Sequence, residues 1–189
     1  MVLEVETSGL ARHAAHAHSI EGGNAVVEAA KAVLALEDWT PGDTHPLLGS
    51  PTCEITTIAG GDKQNVIPDK CVLCLDIRTT DDAPARDYIG TIEKITGGVV
   101  RVLSDRLKPF ETNENSRIVS AARLARPHAP IVASATMSDA VWTRHLPTVK
   151  IGPGKTERSH TAGEYITFDE LGDGAAFYEK LVQAYFAMG

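Results

Sequence analysis

Three histidines stand within six residues near the start of the chain, at His13, His16 and His18. Neutral imidazole is a common ligand for zinc and copper, so the cluster could hold a metal ion. No residue close in sequence completes an obvious tetrahedral set, although Glu21 is near. The plainer interpretation is a solvated loop, and a metal-storage or sensor protein built on the three histidines is one hypothesis to test.

His160 lies in a polar loop that also carries Arg158 and Ser159, directly after an apolar segment that is typical of a buried strand. In open α/β sheets, functional groups collect in the loops beyond the carboxyl ends of strands. The loop is therefore a candidate site, and a plain surface histidine is the alternative. One histidine makes no catalyst by itself, so further groups would have to come from elsewhere.

Two further side chains have types suited to binding a substrate. Arg78 stands two positions beyond Asp76 on a predicted strand, where it could clamp a carboxylate or form an ion pair. Asn65 could donate its amide to a ligand or serve as a turn residue. Ser138 has no nucleophile elbow around it and is more typical of a helix N-cap.

The composition favours an ordinary soluble domain. Of the 189 residues, 18 are basic and 25 are acidic, which gives a net charge of −7 and argues against nucleic acid or an anionic membrane as a partner. No apolar run approaches a membrane span, the first residues are acidic, and three cysteines are too few for a disulfide framework. The expected location is the cytoplasm.

The first half of the chain predicts a βαββαβ order. The predicted strands are Val2–Thr7, Cys53–Ile58, Val66–Thr79 and Val99–Leu103, and the helices follow Asn24 as N-cap and open at Pro84. This order is the ferredoxin-like split unit, an antiparallel sheet with two helices on one face. Cys71 and Cys74 would then point to opposite faces of a strand, which favours a structural role.

The second half, from about Lys108, predicts αβα layering with few strands. Helices are expected at about Glu114–Ala125, at Ser138–His145 and after Thr167, which forms a capping box with Glu170. Short apolar strands are expected at Ile131–Ala133 and Thr148–Ile151. Two strands are few for a free-standing sheet, so an exposed apolar face is expected.

In order along the chain, these segments resemble the co-catalytic zinc hydrolases that include acetylornithine deacetylase, succinyl-diaminopimelate desuccinylase and glutamate carboxypeptidases. The matching segments are His13-Ala-Ala with Gly23-Asn24-Ala25, Gln64-Asn-Val-Ile-Pro with Asp76-Ile-Arg78, and Ser138-Asp139 with Ile151-Gly-Pro-Gly and Ser159-His-Thr-Ala-Gly-Glu-Tyr165. The Gly152-Pro-Gly and Arg158-Ser-His segments are most similar to the deacetylases of N-acylornithine or N-acylcitrulline.

The resemblance implies a role for each half. Residues 1–107 would be a lid domain that forms a homodimer, and residues 108–189 would be the C-terminal segment of the αβα catalytic domain. His160 would bind one of two zinc ions, and a lid histidine, His18 in preference to His13, would stabilise the oxyanion across the dimer. Asn65, Arg78 and Arg158 would bind the substrate, an N-acylated amino acid whose amide is cleaved by zinc-activated water.

The resemblance also implies that most of the catalytic machinery is absent from this chain. The family's H-x-D motif, bridging aspartate and Glu-Glu general base precede the lid, and this sequence contains no H-x-D. The chain alone is therefore expected to be inactive and not to retain zinc. The alternative hypothesis is a non-catalytic dimerisation or binding module derived from the family.

Overall fold

The computed structural model describes residues 1–17, 23–134 and 136–188. These residues fall into two compact units, Met1–Pro109 and Phe110–Gly189. No helix within the described ranges is both long enough and apolar enough to cross a membrane.

The first unit is built on an antiparallel sheet. Its elements are β1 (Val2–Ser8), β2 (Arg12–His13), α1 (Ala25–Glu37), β3 (Thr52–Gly60), β4 (Val66–Ile67), β5 (Lys70–Arg78), α2 (Arg86–Thr96) and β6 (Val99–Ser104). The four long strands lie in the order β3-β5-β1-β6, and both helices pack against the sheet. This arrangement confirms the predicted ferredoxin-like βαββαβ fold.

The core lies between one face of the sheet and the two helices. Alternate residues of β1 and β5 are fully buried, among them Leu3, Leu73 and Leu75. They meet a stripe of alanines along α1 and Ile92 of α2. The strand period of 2 and the helix period of 3.6 therefore direct both apolar faces into one layer. The apolar stripe expected on α1, which includes Val26, Val27 and Leu34, is instead exposed.

Two predicted boundaries in this unit are wrong, and proline explains the first. The strand expected over Val66–Thr79 is divided at Pro68, which has no N–H to donate and whose carbonyl accepts the Ala25 N–H at 3.1 Å. The short strand β4 therefore pairs with β2 instead of continuing β5. Pro84 stands before α2, which begins at Arg86, and the Ala85 N–H donates to the Asp105 carboxylate at 2.8 Å.

The second unit consists mainly of α3 (Arg117–Ala125) and α4 (Phe168–Ala187), which pack against each other. Arg117 joins the two helices: its Nε donates to the Tyr185 carbonyl at 2.6 Å, and its guanidinium lies 4.2 Å from the centre of the Tyr185 ring. Short 3₁₀ turns occupy Asp139–Thr143 and Thr156–Arg158.

The described residues of the second unit contain no strand, so the strands predicted at Ile131–Ala133 and Thr148–Ile151 are wrong. A β-strand needs an adjacent strand to form hydrogen bonds with its peptide groups, and neither segment pairs with a strand in the described residues. Two helix predictions also need correction, because α3 starts only at Arg117 and the segment after Ser138 is a 3₁₀ turn. Apolar side chains are exposed as expected, including Val132, Phe168 and Phe186.

Candidate functional site

The first unit brings two of the predicted site residues together, His13 and Asn65. His13 ends β2, where it pairs with Val66 of β4. The N–H of Ala14 then donates to the carbonyl of Asn65 at 2.9 Å. The two-stranded ribbon of β2 and β4 therefore places both residues side by side, although 51 positions separate them in the sequence.

The imidazole of His13 is exposed and has a defined hydrogen bond. Its Nδ1 accepts the backbone N–H of Ala15 at 3.1 Å, and the ring of His16 lies 6.1 Å away, centre to centre. Because Nδ1 is an acceptor, the proton of the neutral ring resides on Nε2. Nε2–H is therefore a donor that could stabilise a developing oxyanion. His18 lies outside the described residues.

A shallow cleft of about 410 Å³ lies beside this ribbon. It is bounded by Asn24 at the start of α1, by the end of β3, and by the loop that carries Lys63 and Gln64. Lys63 was not predicted as a site residue, and its place in a Gly-Gly-Asp-Lys turn between strands was the signal that could have found it.

Arg78 lies at the other end of the unit. It is the last residue of β5, and its guanidinium donates to Asp76 at 2.7 Å, so the ion pair forms along one strand. It stands eight positions along β5 from Lys70, a distance of about 26 Å at the usual rise per residue. The structure therefore does not bring Arg78 to His13 and Asn65, which lie near the Lys70 end.

His160 belongs to the second unit, in the loop between the 3₁₀ turn at Thr156–Arg158 and α4. Its backbone is left-handed, with a φ of 61°, and its N–H donates to the Glu164 carboxylate at 3.0 Å. The residue is exposed. Within the described ranges, His160 has no ring contact, ion pair or side-chain hydrogen bond.

Arg158 is engaged inside the same loop. It donates to the Glu170 carboxylate at 2.7 Å, and its guanidinium lies 4.3 Å from the centre of the Tyr165 ring. Glu170 also completes the predicted capping box with Thr167, which is confirmed. The hydrogen bond from Arg158, followed by that from the Thr167 N–H, lowers the pKa of Glu170 to about 2. The same bond raises the pKa of Arg158.

The described residues do not form a metal centre by themselves. In residues 1–17, 23–134 and 136–188, no three side chains of His, Cys, Asp or Glu lie close enough to hold a metal ion. A single imidazole such as that of His160 cannot retain zinc tightly. The hypothesis of a site at His13, His16 and His18 stays a prediction, because His18 lies outside those ranges.

The cysteines contribute to packing in this structure. All three are free thiols, and Cys71 is fully buried on the inner face of β5. Cys74 is only partly buried and lies on the opposite face of that strand. Burial raises the pKa of the Cys53 thiol to about 11, which keeps it protonated and unreactive.

Comparison with known proteins agrees with the fold and the motifs. A family model described as the peptidase dimerisation domain matches residues 3–99. Acetylornithine deacetylase of Aliivibrio fischeri is 29% identical over 160 residues, covering 79% of this chain and 41% of that protein. The corresponding enzyme of Aliivibrio salmonicida is 28% identical with the same coverage.

Solved structures show the same fold. Aminopeptidase PepT from Bacillus cereus superposes with a TM-score of 0.75 and 21% identity, over 97% of this chain and 51% of its own. An M20 family metallo-carboxypeptidase from Sulfolobus solfataricus gives 0.73 and 16%, over 97% and 57%. This chain spans about two fifths of the length of the curated relatives it matches. With just over half of its residues matched by the family model on a βαββαβ sheet, the chain belongs to the peptidase dimerisation domain family of the M20 peptidases.

Proposed function

We propose that this chain is the dimerisation domain and C-terminal catalytic segment of a metal-dependent hydrolase that cleaves the amide of an N-acylated amino acid. The observation that carries the proposal is the extent of the similarity to acetylornithine deacetylases. It covers 79% of the chain, which is more than the 109 residues of the first unit, so it continues into the second. Residues 1–107 are then the lid that forms the dimer, and residues 108–189 belong to the catalytic domain.

In this proposal the ribbon of β2 and β4 supplies polar groups to the substrate. His13 would stabilise the oxyanion through Nε2–H, because its Nδ1 already accepts the Ala15 N–H. His18, which stands five positions after His13 as in the desuccinylases, remains the other candidate. Asn65 would bind the acyl group or carboxylate beside His13.

Arg78 would bind a substrate carboxylate at a different site from Asn65 of the same chain. Arg78 is the last residue of β5, whereas Asn65 stands five positions before Lys70, its first residue, and the strand itself is about 26 Å long. An N-acyl amino acid is much shorter than that. In a homodimer assembled through the lid, the two ends of one sheet would therefore serve two different active sites.

His160 would be the zinc ligand contributed by this chain. The complete hydrolase would hold two zinc ions, which lower the pKa of a bound water, and most of their ligands would come from outside this sequence. Arg158 would bind the substrate with the guanidinium donors that its ion pair with Glu170 leaves over, and that ion pair would also hold the loop of His160. The chain alone would retain little zinc and be inactive.

We propose that the protein acts in the cytoplasm. Its three cysteines are free thiols, which suits a reducing compartment.

The alternative is a non-catalytic dimerisation module. It is favoured by the lack of a metal-binding cluster among the described residues. The first proposal requires the longest in-frame protein that contains this chain to hydrolyse an N-acyl amino acid, and the alternative requires that protein to be inactive.

The deciding experiment measures acetate release from N-acetylornithine, with zinc added, by this chain and by that longest in-frame protein. We expect release only from the longer protein, and its loss in the His160→Ala variant. An enzyme-like rate from this chain alone would refute the proposed inactivity. A longer protein that hydrolyses neither N-acylornithine, N-acylcitrulline nor N-succinyl-diaminopimelate would favour the module.

A further inference from the structure

The backbone of His160 is in a conformation that a residue with a side chain seldom adopts. It is the only non-glycine residue with a positive φ among those that the structure describes. The left-handed region brings Cβ close to the following carbonyl oxygen, which makes it unfavourable for L-residues. Such conformations persist where neighbouring groups hold them, and they cluster at functional sites.

The group that holds His160 is the carboxylate of Glu164. Its Oε2 accepts the His160 backbone N–H at 3.0 Å, a bond strengthened by the negative charge of the acceptor. The turn between them is closed by the Glu164 N–H, which donates to the Thr161 carbonyl at 3.1 Å. This turn carries the carboxylate back over residue 160.

The loop is fastened on both sides of His160. The Thr161 hydroxyl donates across residue 160 to the Arg158 carbonyl at 2.8 Å, and Arg158, which precedes His160, is bonded to Glu170 in the first turn of α4. After it, the ring of Tyr165 lies against the Arg158 guanidinium. These contacts hold the two ends of the loop in place. Within the loop, the side chain that bonds the backbone of residue 160 is that of Glu164.

We propose that Glu164 is a positioning residue that holds His160 in the left-handed conformation and thereby presents its imidazole with both ring nitrogens free. The carboxylate bonds the backbone of His160, so the ring stays exposed and available as a ligand. The use of that ring as a metal ligand rests on the proposed function. The control of the backbone by Glu164 does not depend on any metal.

The test uses the full chain, labelled with ¹⁵N, and NMR at residue 160. The variants are Glu164→Ala, Glu164→Gln and the matched control Glu157→Gln, which changes an exposed acidic residue of the same loop that makes no hydrogen bond in the described structure. The coupling between Hα of residue 160 and the carbonyl carbon of residue 159, measured on protein that also carries ¹³C, is large only at positive φ and so reports its sign. The exchange rate of the residue 160 amide reports the hydrogen bond.

We expect Glu164→Ala to abolish the positive φ and to speed exchange of the His160 amide about tenfold, the effect of losing one bond to a charged acceptor. Glu164→Gln should retain part of both signals because its amide oxygen still accepts, and Glu157→Gln should match the wild type. An unchanged coupling in Glu164→Ala, or an equal change in Glu157→Gln, would overturn the proposal.

Glycine at position 160 gives a second, independent test. Glycine adopts positive φ without the Cβ penalty. Glu164→Ala should therefore lower the denaturation midpoint of the chain less in the His160→Gly background than in the wild type, and an equal shift in both would contradict the proposal. If the proposed function fails instead, His160→Ala will leave zinc content and hydrolysis of the longer protein unchanged while these NMR results still hold.

Discussion

Glu170 ties the loop of His160 to a helix, because one carboxylate serves both the capping box of α4 and the ion pair with Arg158. Its place in the first turn also suits the positive end of the helix dipole. The sequence predicted the capping box from the spacing of Thr167 and Glu170, which is a local pattern. It did not predict the bond to Arg158, because that residue stands twelve positions before Glu170 and a local spacing does not encode the course of the loop between them.

The lowered pKa of Glu170 gives a pH-dependent prediction. A free glutamate titrates at 4.5 and Glu170 at about 2, so its ion pair and cap stabilise the folded state fully above pH 4.5 and lose that effect as the pH falls towards 2. Glu170→Gln should therefore be less stable than the wild type at pH 6 and nearly equal to it at pH 2.

Urea denaturation followed by circular dichroism across that pH range measures the difference. The control is Asp173→Asn, an exposed carboxylate one turn further along α4. A gap between wild type and Glu170→Gln that stays constant from pH 6 to pH 2 would contradict the assignment.

At the scale of elements, the sequence predicted the first unit far better than the second. The central strands β1 and β5 bury every second residue, and Leu73 of β5 lies in one core cluster with the alanines of α1, so a local pattern of period 2 suffices to predict them. The segments at Ile131–Ala133 and Thr148–Ile151 have apolar patterns without a partner strand, and pattern alone cannot supply one. For the same reason, the pairing that brings His13 to Asn65 was visible only in the structure.

The position of the ribbon that carries His13 depends on Gly9. A Cβ at Gly9 would lie 2.6 Å from the Ala25 nitrogen and 2.7 Å from the Pro68 oxygen, both backbone atoms that cannot move aside cheaply. Gly9→Ala should therefore lower the free energy of unfolding by about 1–3 kcal/mol. Chemical denaturation of the purified variant provides the measurement.

Gly90 is the matched control for this substitution. It lies inside α2 with open space around its Cβ position, so Gly90→Ala should raise stability by up to about 1 kcal/mol through helix propensity. If Gly9→Ala and Gly90→Ala changed the free energy of unfolding by the same amount, close packing around Gly9 would not be the cause.

At the scale of the whole molecule, the edges of the sheet are the surfaces most suited to a second copy. The edge strands are β3 and β6, and β3 is the longer, with nine residues of which only Glu54 is charged. A long edge strand with little charge pairs readily with another strand. Ile58 of β3 is 53% exposed, and Leu103 of β6 is 57% exposed. The two residues are therefore matched sites for the same substitution, one on each edge strand.

A lysine at the β3 edge should weaken the dimer. We expect Ile58→Lys to raise the dimer dissociation constant at least about tenfold, because the edge would then carry a charge at the interface, and Leu103→Lys to leave it unchanged. Sedimentation equilibrium over a concentration series measures both constants. A dissociation constant raised by Leu103→Lys and left unchanged by Ile58→Lys would place the interface at β6 instead.

We propose that this chain forms a homodimer through its dimerisation domain and has no complete metal centre of its own. The solution mass and the zinc content per chain, measured together on protein purified without a metal-affinity tag, test both parts of this proposal. We predict twice the 20.2 kDa mass of the chain, with far less than one zinc per chain. A monomer at micromolar concentration, or one zinc retained per chain, would contradict the claim.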